Sequence, residues 1–157
     1  MLLEHGANTG AIDNEGRTPL HLAVYYGDPL AGYERVDVVR MLLEHAAKNV
    51  GAEDNEGRTL RAAAKDGRGE LVRMLLEHGA NTGAIDNEGR TPLHLAVYYG
   101  DPLAGYERVE VVRMLLEHGA NVAAEDNEGR TACQIALAKG DEEVMELLSE
   151  HGAEGVL

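Results

Sequence analysis

The hexapeptide Asp-Asn-Glu-Gly-Arg-Thr occurs four times, beginning at Asp13, Asp54, Asp86 and Asp126, and it constrains the fold more than any other feature of the chain. The intervals of 41, 32 and 40 residues lie in the range where a repeated sequence builds stacked supersecondary units, each burying its apolar face against its neighbours rather than around one centre. A variant of Val-Val-Arg-Met-Leu-Leu-Glu-His-Gly-Ala follows every hexapeptide. The predicted fold is therefore an all-α repeat solenoid spanning 1–157, with a partial unit at 1–12, a long unit at 13–53, a short one at 54–85, a second long one at 86–125 and a C-terminal capping unit at 126–157. The chain has no Phe and no Trp, so its interior is built from Leu, Val, Ala, Ile and Met, which suits thin layers of closely packed helices.

Local signals within one unit are ordered. Asp13 and Gly16 sit at the first and fourth positions of a type I turn, where the Asp carboxylate accepts backbone N–H groups and Gly frees the exit. Thr18 is placed to cap a helix with Pro19 at its first position, where the missing donor costs nothing. That short helix presents Leu20, Leu22, Ala23 and Val24 and stops near Gly27. A second helix is expected to bury Val36, Val38, Val39, Leu42 and Leu43 and to end at His45. In later copies a Gly follows the His, as at Gly79 and Gly119, where a left-handed residue closes the helix.

The pattern Asp-x-x-Gly-x-Thr-Pro-Leu-His, then a helix, then Leu-Leu-Glu-His-Gly-Ala resembles the ankyrin repeat over the whole chain. The resemblance implies stacked helix-turn-helix units with short hairpin-like turns. It is complete in the units holding Thr18-Pro19-Leu20-His21 and Thr91-Pro92-Leu93-His94. The other two read Thr59-Leu60-Arg61-Ala62 and Thr131-Ala132-Cys133-Gln134, so the Thr and His hydrogen bonding that the family places at this helix start is altered there.

Three departures from regularity carry information. The long units contain the insert Asp-Pro-Leu-Ala-Gly-Tyr-Glu, at 28–34 and 101–107, expected to form a pre-helical turn or loop with Leu30 and Tyr33 folded back on Tyr25 or Tyr26. The unit beginning at Asp54 is one residue short at its helix start, so the helix ending at His45 is expected to run on and the next first helix to begin displaced. Finally, Met1 aligns with Met41, part-way along a second helix, which leaves an apolar N-terminal edge through which two copies could self-associate.

Charge and chemistry exclude several classes. The net charge of −14 repels phosphate backbones, so nucleic acid is not an expected partner. The acidity is uneven: 54–85 holds five acidic and five basic residues and is neutral, whereas 126–157 carries −6. No run approaches the roughly 18 apolar residues of a membrane span. A single cysteine, Cys133, rules out an internal disulfide and fits a reducing, cytoplasmic setting. It occupies a core position, where a buried structural thiol is expected rather than a nucleophile. His5, His45, His78, His118 and His151 repeat at one helix end, where imidazole complements the helix dipole. Stacked helices stand about 8–10 Å apart, too far for a shared zinc, so neither metal nor cofactor is expected.

The ankyrin resemblance implies a non-enzymatic protein-interaction module that binds through its turn tips and the exposed side of its first helices. By position the candidates are Asn14, Glu15, Arg17, Tyr25 and Tyr26; then Asn55, Glu56, Arg58, Lys65 and Asp66. The next unit supplies Asn87, Glu88, Arg90, Tyr98 and Tyr99, and the last Asn127, Glu128, Arg130, Ala138 and Lys139. Tyr33 and Tyr106 add to the insert surface. Tyrosine offers apolar area with a polar tip at modest entropic cost, and all six tyrosines belong to the long units. Against this stands the identity of the Asn-Glu-Gly-Arg tip in all four units, because a surface shaped for one irregular partner should vary from unit to unit. The alternative is an engineered or structural repeat scaffold, or a fragment of a larger array, with no evolved partner.

Overall fold

The computed structural model describes residues 4–25, 32–46, 53–100 and 106–153, which form eight helices and no strand. In chain order they are α1 (Pro19–Tyr25), α2 (Gly32–Ala46), α3 (Glu53–Lys65), α4 (Gly69–Glu77), α5 (Pro92–Tyr99), α6 (Tyr106–Glu117), α7 (Ala132–Lys139) and α8 (Glu142–Glu150). The odd-numbered helices pack in one row, α1 on α3 on α5 on α7. The even-numbered helices pack in a second row, and each odd helix also packs on the even helix that follows it. One continuous apolar layer lies between the rows, including Val24, Leu60, Val72, Leu75, Leu93, Val112, Leu115 and Leu148.

The expected helix starts are realised where the local chemistry is intact. Thr91 is extended and its hydroxyl accepts the His94 N–H at 3.3 Å, with Pro92 opening α5. Thr131 does the same for Gln134. In that unit Gln134 Oε1 accepts the Thr131 N–H at 2.9 Å, so glutamine replaces histidine in closing the reciprocal cap. At the other end, Gly79 and Gly119 have φ of 81° and 86°, and the amides of Gly79 and Ala80 bond back to Leu76 and Leu75. The four later histidines of the helix-end series each place Nδ1 2.8–2.9 Å from the carbonyl four residues earlier. A carbonyl only accepts, so in each ring Nδ1 carries the proton.

Four expectations are corrected or bounded. Val38 is exposed, not buried. Its counterparts Leu71, Val111 and Val144 are all buried, because each of their helices has a complete preceding second helix beside it, and α2 has none among the described residues. Met1–Leu3, the apolar N-terminal edge, lie outside the described residues. The ends of both inserts are helical rather than loop: α2 already includes Gly32, Tyr33 and Glu34, and α6 includes Tyr106 and Glu107. Residues 26–31 and 101–105, with the expected folding of Leu30 and Tyr33 onto Tyr25 or Tyr26, fall outside what the structure describes.

The joint before α3 is irregular, as the residue count predicts: the preceding helix runs on and the next first helix begins displaced, on the upstream side. α2 runs on to Ala46, past His45, whereas α4, α6 and α8 stop before their histidines. α3 then starts at Glu53, so Asp54–Gly57, expected as a tight turn, is helical. Aligning α3 with α5 from their closing glycines, Gly67 and Gly100, explains this. Leu60 then matches Leu93, and Ala63 and Ala64 match Ala96 and Val97, all buried. The missing residue is absorbed upstream: Thr59 falls at the position of Pro92, and Arg58 takes the capping position of Thr91. Arginine has no acceptor for the first helical N–H groups. With neither a cap nor a proline to stop it, the helix continues backwards.

Candidate functional site

At three of the four turn tips the backbone forms the same closed loop. Asp86 N–H donates to Arg90 O at 3.1 Å, and Gly89 N–H donates to Asp86 O at 3.0 Å. The Asp86 carboxylate accepts the N–H groups of Glu88 and Arg90 through Oδ1, and Arg90 Nε at 2.8 Å through Oδ2. Asp13 with Arg17, and Asp126 with Arg130, repeat the arrangement. Burial acts to raise the Asp86 pKa, but the Arg90 amide and guanidinium outweigh it and hold the carboxyl below its ordinary range. Asp13 is lowered chiefly by the Arg17 amide. Arg17, Arg90 and Arg130, expected as partner contacts, are thus half-buried struts of their own tips, each also paired with Glu15, Glu88 or Glu128. The signal was present in sequence as Asp at the first turn position and Arg four residues later.

The tips are also tied to one another. Asn127 N–H donates to Glu88 O at 2.9 Å, and its side-chain amide donates to Asn87 O at 3.0 Å. Gly89 makes that approach possible, because a Cβ there would stand 2.4 Å from Asn127 Oδ1. Behind the tips, His94 accepts the Thr91 N–H at Nδ1 and donates from Nε2 to Arg130 O at 2.9 Å, so each ring nitrogen has its own partner. Lys139 extends back across the same joint, donating to Val97 O and Tyr98 O at 2.9 Å and to Gly100 O at 2.5 Å. It caps the negative end of α5. Arg108 and Asp141, whose side chains are 5% and 3% exposed, form an ion pair between α6 and the start of α8. Asp141 Oδ1 also accepts the Val144 N–H. Asn127 and Lys139, read from sequence as partner contacts, are engaged in holding the last two units together. The Arg108–Asp141 pair and the grip of Lys139 were not foreseen, since both depend on which unit faces which.

The exposed aromatic candidates lie on the first-helix row. Tyr98 and Tyr99 are 45% and 42% exposed and meet edge to face with ring centroids 4.9 Å apart. Lys65 Nζ sits 4.5 Å from the centre of the Tyr99 ring, and the Arg90 guanidinium lies 5.7 Å from it on the other unit. Tyr98 borders a shallow open pocket of about 380 Å³ with Arg130, Gln134 and Ala138. The structure thus brings Lys65, Arg90, Tyr98, Tyr99 and Arg130 together. Asn14, Glu15, Asn87, Glu88 and Glu128 stand exposed at separate tips, and Asp66 at the end of α3. Asn55 and Glu56 lie within α3 and not at a tip; their side chains, and those of Tyr25, Tyr26, Tyr33 and Tyr106, are outside the described residues. Three exposed apolar residues were missed, Leu137 on α7 among them. Ile12 and Ile85 stand exposed just before their tips, and the alternation Ile12, Glu53, Ile85, Glu125 at that position already marks it as solvent-facing.

Cys133 is buried, and burial pushes its thiol pKa up, which disfavours the thiolate. Among the described residues no three His, Cys, Asp or Glu side chains gather as metal ligands, and no helix is long and apolar enough to cross a membrane.

Family models described as "Ankyrin repeats (3 copies)" match residues 1–54 and 30–125, and one described as "Ankyrin repeats (many copies)" matches 103–148. The chain belongs to the ankyrin-repeat family. Among curated ankyrin proteins it is 34% identical to rabankyrin-5 of Mus musculus over 103 residues, 64% of this chain and 8% of that protein. It is 36% identical to inversin of Canis lupus familiaris over 106 residues, 66% of this chain and 9% of the relative. The chain therefore spans less than a tenth of the length of these two relatives. Ankyrin repeats as a family serve protein–protein interaction through an extended surface.

Proposed function

We propose that this ankyrin array is a non-enzymatic, intracellular protein-recognition module that binds its partner on the first-helix row, centred on Tyr98 and Tyr99. The observation that carries the reading is the exposed aromatic pair, held in a fixed edge-to-face arrangement with Lys65 and Arg90 against Tyr99. Rings pre-ordered in this way lose little entropy on binding, and tyrosine is enriched among residues that dominate interface energetics. The tips serve chiefly as rigid edges of this surface, because their arginines and Asn127 are occupied within the array.

The test is partner capture followed by equilibrium binding. Tyr98→Ala with Tyr99→Ala should weaken binding by at least about tenfold per ring, the scale of interface hot spots. Val38→Ala, on the exposed side of α2, should leave it unchanged. Equal affinity of the two variants would sink the reading. The uniform tips favour a second reading, a repeat scaffold without an evolved partner, under which no ligand would distinguish the tyrosine variant from the parent. Pairing of two copies through the N-terminal edge belongs to that second reading; a monomer mass in light scattering up to high concentration would remove it.

A further inference from the structure

The one-residue shortfall within α3 places Arg58 where α5 and α7 have their capping threonine, in line with Arg61 and Lys65 of the unshifted frame. Arg58, Arg61 and Lys65 fall at i, i+3 and i+7 of α3, one stripe of the helix. The corresponding positions are Thr91, His94 and Tyr98 in α5 and Thr131, Gln134 and Ala138 in α7. Where α5 has a capping threonine and a ring that bonds to the next unit, and α7 a capping threonine closed by Gln134, α3 presents two guanidinium groups. Arg17, Arg90 and Arg130 each have a turn aspartate. Asp54 is inside the helix, so that arrangement is not available to Arg58. Among the described residues neither Arg58 nor Arg61 has a carboxylate within ion-pair distance. Both line an open groove of about 700 Å³ whose far wall is the loop from Asn81 to Asn87. Arg61 is half-buried. Burial pulls its pKa down, and the adjacent Arg58 charge adds to this, against the opposing pull of Asp86 on the far wall.

We propose that this groove is an anion-recognition subsite for an acidic peptide segment of the partner, whose carboxylates pair with Arg58 and Arg61 while its neighbouring side chains reach the Lys65–Tyr99 surface. Charge complementarity selects the occupant. The unit is neutral within a chain of net charge −14, and the groove holds Arg58 and Arg61 against one acidic lining residue, Asp86. At physiological salt, interactions beyond about 8 Å are screened, so the short-range pairing in the groove outweighs the distant repulsion. Arginine's planar fork suits bidentate pairing with a carboxylate. The inference rests on the first-helix row being the binding face, and it assigns the chemistry of what binds there.

The test uses a fluorescent decapeptide of alternating Glu and Leu, with its Gln-for-Glu counterpart as the neutral probe, followed by anisotropy. The acidic probe should bind and the neutral one should not. Arg58→Ala with Arg61→Ala should weaken binding at least tenfold, Arg58→Lys with Arg61→Lys should retain part of it, and Arg73→Ala on α4 should leave it unchanged. Thermal melts matching the parent would show that the variants fold. Equal binding of both probes, an unaffected alanine variant, or full competition by millimolar inorganic phosphate would overturn the proposal. Loss of the acidic-probe result while a partner still depends on Tyr98 and Tyr99 would refute this inference and leave the recognition reading standing.

Discussion

Removing Asp141 should cost far more than a surface charge usually does. Its carboxylate is almost wholly shielded, and it receives Arg108 on one oxygen and the Val144 amide on the other. Asp141→Ala strands the Arg108 guanidinium in a site where that side chain is 5% exposed. Breaking a buried pair from one side costs about 3–5 kcal/mol, and the lost cap of α8 adds roughly 1 kcal/mol. Arg108→Met should cost about 3 kcal/mol, as the carboxylate keeps its amide partner. The double variant Arg108→Met/Asp141→Ala removes both charges and should recover about 2 kcal/mol or more relative to the sum of the single changes. Urea unfolding at 25 °C gives the cycle. Because solenoid stability is a sum of neighbouring interfaces, the damage should be local. Hydrogen exchange should accelerate at Leu147 and Leu148 while Leu60 and Ala63 keep their protection. A cost below about 1 kcal/mol for Asp141→Ala, or a uniform loss of protection along the array, would refute the reasoning.

Three further expectations are independent of that pair. Gly89→Ala should cost about 2–3 kcal/mol in urea melts, combining a left-handed residue with a Cβ driven into Asn127; Gly129→Ala, with φ 74° and nothing within 4 Å, should cost only about 1 kcal/mol. His94→Ala should cost about 2–4 kcal/mol by orphaning the Thr91 amide and the Arg130 carbonyl, and His94→Gln should recover about 1 kcal/mol, since Gln134 already closes the equivalent cap. Acid unfolding should proceed in two stages. Burial, then the charge of Arg58, lowers the His21 pKa below its ordinary 6.5, so as pH falls through that value the unfolded chain takes up the proton first and stability declines; His21→Gln should flatten this stage. Asp13, Asp86 and Asp126 are held below their ordinary 3.8, so their contribution persists above that pH and is lost only as pH falls through the lowered values. Melting temperature against pH in the parent and the His21 variant checks both stages.

The two-row solenoid could be read from sequence because period, cap and closing glycine all pointed to the same helices. The irregular joint was legible in its place but not in its direction: counting residues shows that one is missing before Leu60, but only packing shows which side yields. For Val38 the pattern gave the right helix and the wrong surroundings, since burial at that position is supplied by a preceding second helix. The candidate surface was partly legible. Tyr98, Tyr99 and Lys65 were identified by position and do face outward together, whereas Arg90, Arg130, Asn127 and Lys139 turned out to be bonded within the array. Sequence identifies which side chains can make hydrogen bonds; the stacking of units decides which carbonyls and carboxylates come within their reach.

The alignment of α3 from its closing glycine has a consequence for how such arrays acquire new properties. A deletion inside a globular core would shift every apolar residue off its face. Here the buried half of the helix kept its frame, anchored downstream by Leu60, Ala63 and Ala64, and the frame slipped only upstream, at the solvent side. A tandem array of this kind therefore tolerates insertion and loss as a source of novelty: one residue fewer left the packed layer in place and moved Arg58 to the position of Thr91, beside Arg61, which stands in the unshifted frame at the position of His94.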